Sequence, residues 1–117
     1  MTAPHDPPTS AQLVEAVREW LETQVMPNVS GAMQFHARVA ANVLAMVERE
    51  IQLGPDQSAV HEAGLRALGC IDDADLARRI RSGELCDASG GVRDDVEGFV
   101  FDSVVAKLRV ANPKYLR

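Results

Sequence analysis

The run from Ala32 to Leu53 constrains this chain most, because it contains neither glycine nor proline. Its apolar residues return at intervals of three and four, the period of an α-helix; a strand would alternate. At 100° per residue His36, Ala40, Val43, Leu44, Val47 and Ile51 share one face, and Phe35, Val39 and Met46 widen the apolar arc. Between Val39 and Val47 the only polar side chain is Asn42. A helix this apolar is central in a bundle or covered by a partner. Gly54 stands where a left-handed C-cap would sit and Pro55 opposes continuation, so this helix is expected to end at Leu53.

The remaining segments are also helical in period. Residues 1–10 carry Pro4, Pro7 and Pro8 and are expected to form a flexible, disordered tail ahead of a single bundle domain over residues 11–117. Thr9 and Gln12 have capping-box spacing and open a first helix that Pro27 stops. Leu13, Val17, Trp20, Leu21 and Val25 form its expected buried face, with Glu15, Arg18, Glu19 and Glu22 toward water. A third, thin-faced helix is expected from Pro55 to Leu68, and a fourth, short one is capped by Asp72 or Asp73 and closed by Gly83. Breakers Asp87, Ser89, Gly90 and Gly91 mark a loop, and a last helix runs from about Val92 to Ala111 before Asn112-Pro113. No segment reads as a strand. The expected fold class is all-α, an antiparallel bundle of about five helices joined by short connections.

Composition narrows the function classes. The chain has 117 residues, a net charge of −5 and 46% hydrophobic residues. An acidic chain whose basic residues are spread over several helices argues against nucleic-acid binding. No apolar run reaches the roughly 18 residues of a membrane span. No charged-then-apolar leader opens the sequence, so a cytoplasmic location is expected, with Cys70 and Cys86 as free thiols. The two cysteines are not in a C-x-x-C, and no His/Cys cluster has zinc spacing, so neither a metal nor another cofactor is expected. Asp72, Asp73 and Asp75 lack the glycine and terminal glutamate of a calcium loop and sit where a helix needs a cap. There is no phosphate-cradling glycine loop, no G-x-S-x-G and no H-E-x-x-H.

The candidate site is therefore one of recognition. Arg38, Asn42 and Arg49 form a polar seam on the second helix, with small Ala41 and Ala45 between them to permit close approach. Such a seam suits a carboxylate, a phosphate or a partner helix, and equally suits internal ion pairs with a neighbouring helix. Histidine as a residue type serves as an acid–base group, which makes His36 a candidate, though a lone histidine on an apolar face is more often a hydrogen-bonded core residue. His61, beside Glu62, reads as an exposed side chain. The last helix is apolar on two sides: Val92, Val96, Phe99, Val100, Val104, Leu108 and Ala111 on one, Phe101 and Val105 on another. That breadth implies a central position or an interface, with Asp102 and Lys107 needing partners if buried.

The stretch Phe35-His36-Ala37-Arg38-Val39-Ala40-Ala41-Asn42, continuing through Val47-Glu48-Arg49-Glu50 to Leu53-Gly54-Pro55, resembles the signature of an uncharacterised family of small bacterial all-helical proteins. His5-Asp6, Pro8-Thr9 and the closing Asn112-Pro113-Lys114-Tyr115-Leu116 are similar to it as well. Members of that family are encoded beside aminoglycoside-phosphotransferase-like kinases and acyl-CoA dehydrogenases. The resemblance implies a non-catalytic accessory subunit of such a kinase in hydroxyacyl-CoA breakdown, and it brings no catalytic residue. His36, Arg38, Asn42 and Arg49 are then the expected partner- or ligand-binding residues. The competing expectations are a bundle that binds an acidic small molecule, such as an acyl-CoA or a phosphate, and a homodimer formed through the last helix.

Overall fold

The computed structural model describes residues 4–116, and within them every regular element is helical. There are four α-helices: α1 (Ser10–Trp20), α2 (Gly31–Ala67), α3 (Asp73–Ser82) and α4 (Asp94–Ala111). A π-helical turn, Leu21–Val25, and a 3-10 turn, Met26–Asn28, extend α1, and a second 3-10 turn spans Pro113–Leu116. Residues 4–8 are exposed and outside any helix; the expected flexibility of residues 1–3 lies outside the described residues.

The expected break at Gly54-Pro55 does not occur, so the helix count is four and not five. α2 is one continuous helix of 37 residues with Pro55 inside it. Gly54 does not take the left-handed conformation that the positive-φ glycines Gly31, Gly69, Gly83 and Gly90 adopt. Proline at this position removes the bond to the carbonyl of Ile51 and costs a helix interior about 3 kcal/mol. Long-range anchoring outweighs that local cost: two residues after Pro55, the Gln57 amide donates to the carbonyl of Ala106 at 2.9 Å, and Leu65 is buried further along.

The chain forms two compact units. The first comprises Met1–Gly54 with Val110–Asn112. In it α1 and α2 run antiparallel, since Arg18 meets Glu48 while Met26, farther along, accepts from the Gln34 amide at 3.0 Å. Thr9 caps α1 through the full capping box: its hydroxyl accepts from the Gln12 N–H, and the Gln12 side chain accepts from the Thr9 N–H. By burial the seam takes in Ala11, Val14 and Arg18 of α1 with Leu21 and Val25 of the turn that extends it, and Gln34, Ala37, Ala41, Leu44 and Glu48 of α2, all buried or half-buried. Both sets step by three and four, the spacing of side chains that interdigitate between paired helices. Leu13, Val17 and Trp20, expected in the core, are about half exposed, whereas Arg18, expected in water, lies in the seam. α1 carries two apolar stripes, and periodicity alone does not choose between them.

The second unit, Pro55–Arg109 with Pro113–Arg117, holds a core of Leu65, Cys70, Leu76, Leu85 and Val96, against which Leu68, Ile80 and Phe99 pack. Val96 is wholly buried. Asp72 caps α3 by accepting from the Asp75 N–H at 2.7 Å, and Gly83 closes it with φ 86°, which favours glycine. The following loop is pinned by an isolated bridge between Cys86 and Val92 and by the Arg93 N–H on the Leu85 carbonyl at 3.0 Å. α4 thus begins at Asp94, two residues later than expected. Its inward residues are Val96, Phe99, Ser103 and Ala106, while Val100, Phe101 and Val104 are exposed. Asp102 and Lys107 are exposed as well and need no buried partner.

Candidate functional site

Within the first unit the buried residues are Ala37, Ala41 and Glu48. Glu48 is held by Arg18, whose Nε donates to one carboxylate oxygen and whose Nη2 donates to the other at 3.3 Å. Arg18 also meets Glu22 at 3.0 Å. Hydrogen bonding to Glu48, then to Glu22, raises the guanidinium pKa above its ordinary value and keeps it charged.

Large apolar side chains occupy the outside of the same hairpin. Leu13, Val17 and Trp20 of α1 are exposed, as are Phe35, Val39, Val43, Val47 and Ile51 of α2. The α2 set advances four residues at a time, a continuous ridge. At 100° per residue Leu13, Val17 and Trp20 centre about a third of a turn from the α1 seam, while the α2 ridge winds by about 40° per step, so that Val43, Val47 and Ile51 lie on the same rotational side and Phe35 falls beside Asn42. Because wheels of antiparallel helices turn in opposite senses when viewed from one end, Val43, Val47 and Ile51 face the same side of the hairpin as Leu13, Val17 and Trp20. The opposite flank carries Glu15, Glu19 and Glu22 of α1 and Arg38, Asn42 and Arg49 of α2.

The four sequence-predicted residues therefore divide. Arg38 and Asn42 are exposed on the polar flank. Arg49 is half-buried, and its Nε donates to the carbonyl of Val110 at 2.8 Å. That carbonyl lies in the last turn of α4, where carbonyls lack helical partners and a cation suits the helix dipole. Arg49 thus takes the intramolecular role, as a cap. His36 is exposed at the edge of the apolar side, its ring edge-on to Phe35 with centroids 5.7 Å apart. The structure does not gather the four into one pocket.

The second unit contains a cluster that the sequence did not reveal. His61 is half-buried, with Nε2 2.7 Å from Asp73 and Nδ1 3.4 Å from the Ser103 hydroxyl. Its ring lies 4.9 Å from that of Phe99. Serine, histidine and aspartate in series resemble a hydrolytic relay, but Ser103 donates its hydroxyl hydrogen to the Phe99 carbonyl at 2.9 Å. The hydroxyl is therefore turned into its own helix, and its contact with His61 Nδ1 is the long one of the pair. This orients and ties α2, α3 and α4 together; it does not prepare a nucleophile. These partners are 12 and 42 residues from His61 in the chain, so no local signal announces them.

A shallow depression of about 390 Å³ in this unit is lined by Ile80, Val92, Val96, Glu97 and Val100. Its one charged lining group is a carboxylate, the wrong sign for an acidic ligand. Among the described residues no three His, Cys, Asp or Glu side chains are gathered as a metal site requires. Cys70 and Cys86 are free, the first buried. No helix among the described residues is long and apolar enough to cross a membrane.

Comparison with known proteins adds one finding. Neither curated proteins nor solved structures returned a match. A domain of unknown function, DUF6285, matches residues 27–115, which takes in the Phe35–Asn42 motif, the Arg18-binding Glu48 and the whole second unit apart from its final residues. With more than half its length matched, including the helix that carries every candidate recognition residue, the chain belongs to the DUF6285 family.

Proposed function

We propose that this protein is a non-catalytic interaction subunit whose partner is a kinase-like protein of the aminoglycoside-phosphotransferase type, acting in hydroxyacyl-CoA breakdown. The observation that carries the interaction reading is the imbalance of the first unit. It buries two alanines and a glutamate while exposing a ridge of large apolar side chains on α2 and a second stripe on α1. Exposed apolar surface of this extent marks an interaction site. The nature of the partner rests on the resemblance carried by the Phe35–Asn42 motif. Arg38 and Asn42, exposed on the polar flank, are the residues offered to it, with His36 at the margin and Arg49 holding the helix end behind them. A small acidic ligand is a weaker reading, since Arg49 is already engaged and the depression in the second unit presents a carboxylate.

The test is co-elution of the full chain with the kinase-like protein encoded nearest to it. A stoichiometric joint peak is expected. Arg38→Ala combined with Asn42→Ala should weaken the complex at least about tenfold, in line with the loss of one or two charge-assisted hydrogen bonds. Because both side chains are exposed, thermal stability should be unchanged. An unaltered affinity would remove these residues from the interface.

A further inference from the structure

Among the described residues four arginines are half-buried: Arg18, Arg49, Arg79 and Arg93. A guanidinium drawn partly out of water is costly unless an anion meets it. Three of the four are met in that way. Arg18 holds Glu48 and Glu22, Arg79 holds Asp75, and Arg93 holds Asp95. Arg49 is the exception. Its partner among the described residues is a neutral one, the Val110 carbonyl, and it is reached through Nε alone. The Nη1 and Nη2 amines, which carry four of the five guanidinium N–H donors, have no acceptor among the described residues. Neither is sealed from solvent, so both are open to an incoming group.

The surroundings narrow what that group is. At 100° per residue Arg38, Asn42, Ala45 and Arg49 fall within about 60° of one another, a single stripe along α2. Arg38 and Asn42 are exposed, and Ala45 leaves a gap of about 10 Å along the helix between Asn42 and Arg49. A small ligand needs a concave site, and the depression of this protein is lined from the second unit. An open stripe suits a protein surface instead. Phe35, exposed beside Asn42, adds an aromatic ring to two arginines, the residue types that dominate such surfaces. Two cations and an amide are complemented by carboxylates, and a carboxylate meets a guanidinium through two parallel hydrogen bonds. Glu15, Glu19 and Glu22 share this flank, but they belong to α1 and no ion pair joins them to Arg49. Their charge confines an acidic partner to the α2 side.

We propose that the partner protein sets an aspartate or glutamate carboxylate against Nη1 and Nη2 of Arg49, while Nε keeps its hold on Val110. The same acidic segment runs on past Asn42 to Arg38, a span of about 16 Å. This rests on reading the chain as an interaction subunit, and it names the chemistry of the surface that the partner brings.

Two arms test it on the full chain. In the first, the kinase-like protein is bound by the wild type and by Arg49→Lys. Lysine keeps the charge and a donor for the Val110 carbonyl but lacks the planar fork, so melting should be unchanged while affinity falls about tenfold. A carbodiimide, which joins an amine to a carboxylate in contact with it, should link the introduced amine to an acidic residue of the partner. Peptide mapping separates that link from any at Lys107 or Lys114. In the second arm the chain alone is titrated with a triglutamate peptide while the arginine Nε–H signals are followed by NMR. The Arg49 signal should shift saturably, those of Arg18, Arg79 and Arg93 should stay in place, and Arg49→Gln should weaken peptide binding about fivefold. An Arg49 signal that moves no more than those of the paired arginines overturns the proposal, whatever the kinase does. A joint peak whose affinity Arg49→Lys leaves unaltered, with no link at position 49, also overturns it and leaves the accessory role standing. A saturable Arg49 response with no joint peak supports the acid-binding stripe and overturns the kinase as its partner.

Discussion

Gly64 shows how one absent side chain organises the second unit. A Cβ built there would lie 2.5 Å from Cε2 and 2.7 Å from Cδ2 of Phe99, inside any tolerable contact. The Phe99 ring therefore lies directly on the α2 backbone, where it also meets the ring of His61. Gly64→Ala gains up to about 1 kcal/mol of helix propensity. It must also push aside a ring packed on the core, an overpacking cost of about 1–3 kcal/mol. The expected net is a loss of about 1 kcal/mol in urea denaturation, together with a changed ring-current shift at His61. A stabilised protein with His61 unmoved would show that Phe99 swings away freely. In the sequence, Gly64 reads only as an interruption of a thin apolar face, because the ring that needs the space comes 35 positions later.

At the scale of elements, what the sequence disclosed was local. The Thr9–Gln12 box, the Asp72 cap and the Gly83 closure each depend on residues within a few positions, and each is present. Choices that depend on distant partners were not legible. Gly54-Pro55 reads as a stop and is overridden. The inward face of α1 is about a third of a turn from the expected one because both of its stripes are apolar. Arg49 finds its acceptor 61 residues away. α3 offers a test of its own electrostatics. Asp75 is buried, accepts from the Ile71 N–H at 2.9 Å and is paired with Arg79 at 3.1 Å and with Arg78. The Ile71 N–H first, and then Arg79, hold its carboxyl below the ordinary carboxylate range. A carboxyl lowered in the folded state contributes its full stability above the unfolded value of about 3.9, and that contribution fades as pH falls through the lowered value. Thermal melts from pH 7 downward should therefore lose stability below about pH 4. Asp75→Asn should be less stable at pH 7 and show a shallower acid limb. Equal acid slopes for the two proteins would assign the acid loss to Asp87 and Asp95, whose carboxyls are lowered by Ser89 and by Arg93 respectively.

At the scale of the whole molecule the two units differ in what holds them. The second has a core with a fully buried valine, whereas the first buries only small or charged side chains. Amide exchange should follow that division. Amides of residues 65–80 are expected to be protected independently of protein concentration. Those of residues 11–21 and 34–48 should exchange faster. Equal protection in both units would mean that the hairpin is as stable as the second unit without a large buried core. The Arg18–Glu48 pair gives the hairpin a further property. Were its seam built of alanine and leucine throughout, α1 could slide by one heptad along α2 at little cost, since the same small-and-apolar pattern would meet itself again. A single charged pair allows one alignment, because any slip strands a guanidinium and a carboxylate among apolar neighbours. Replacing both by leucine would then trade a defined alignment for a tighter but degenerate one, and any outward pattern that depends on alignment, such as the spacing of Leu13, Val17 and Trp20 beside the α2 ridge, would blur with it.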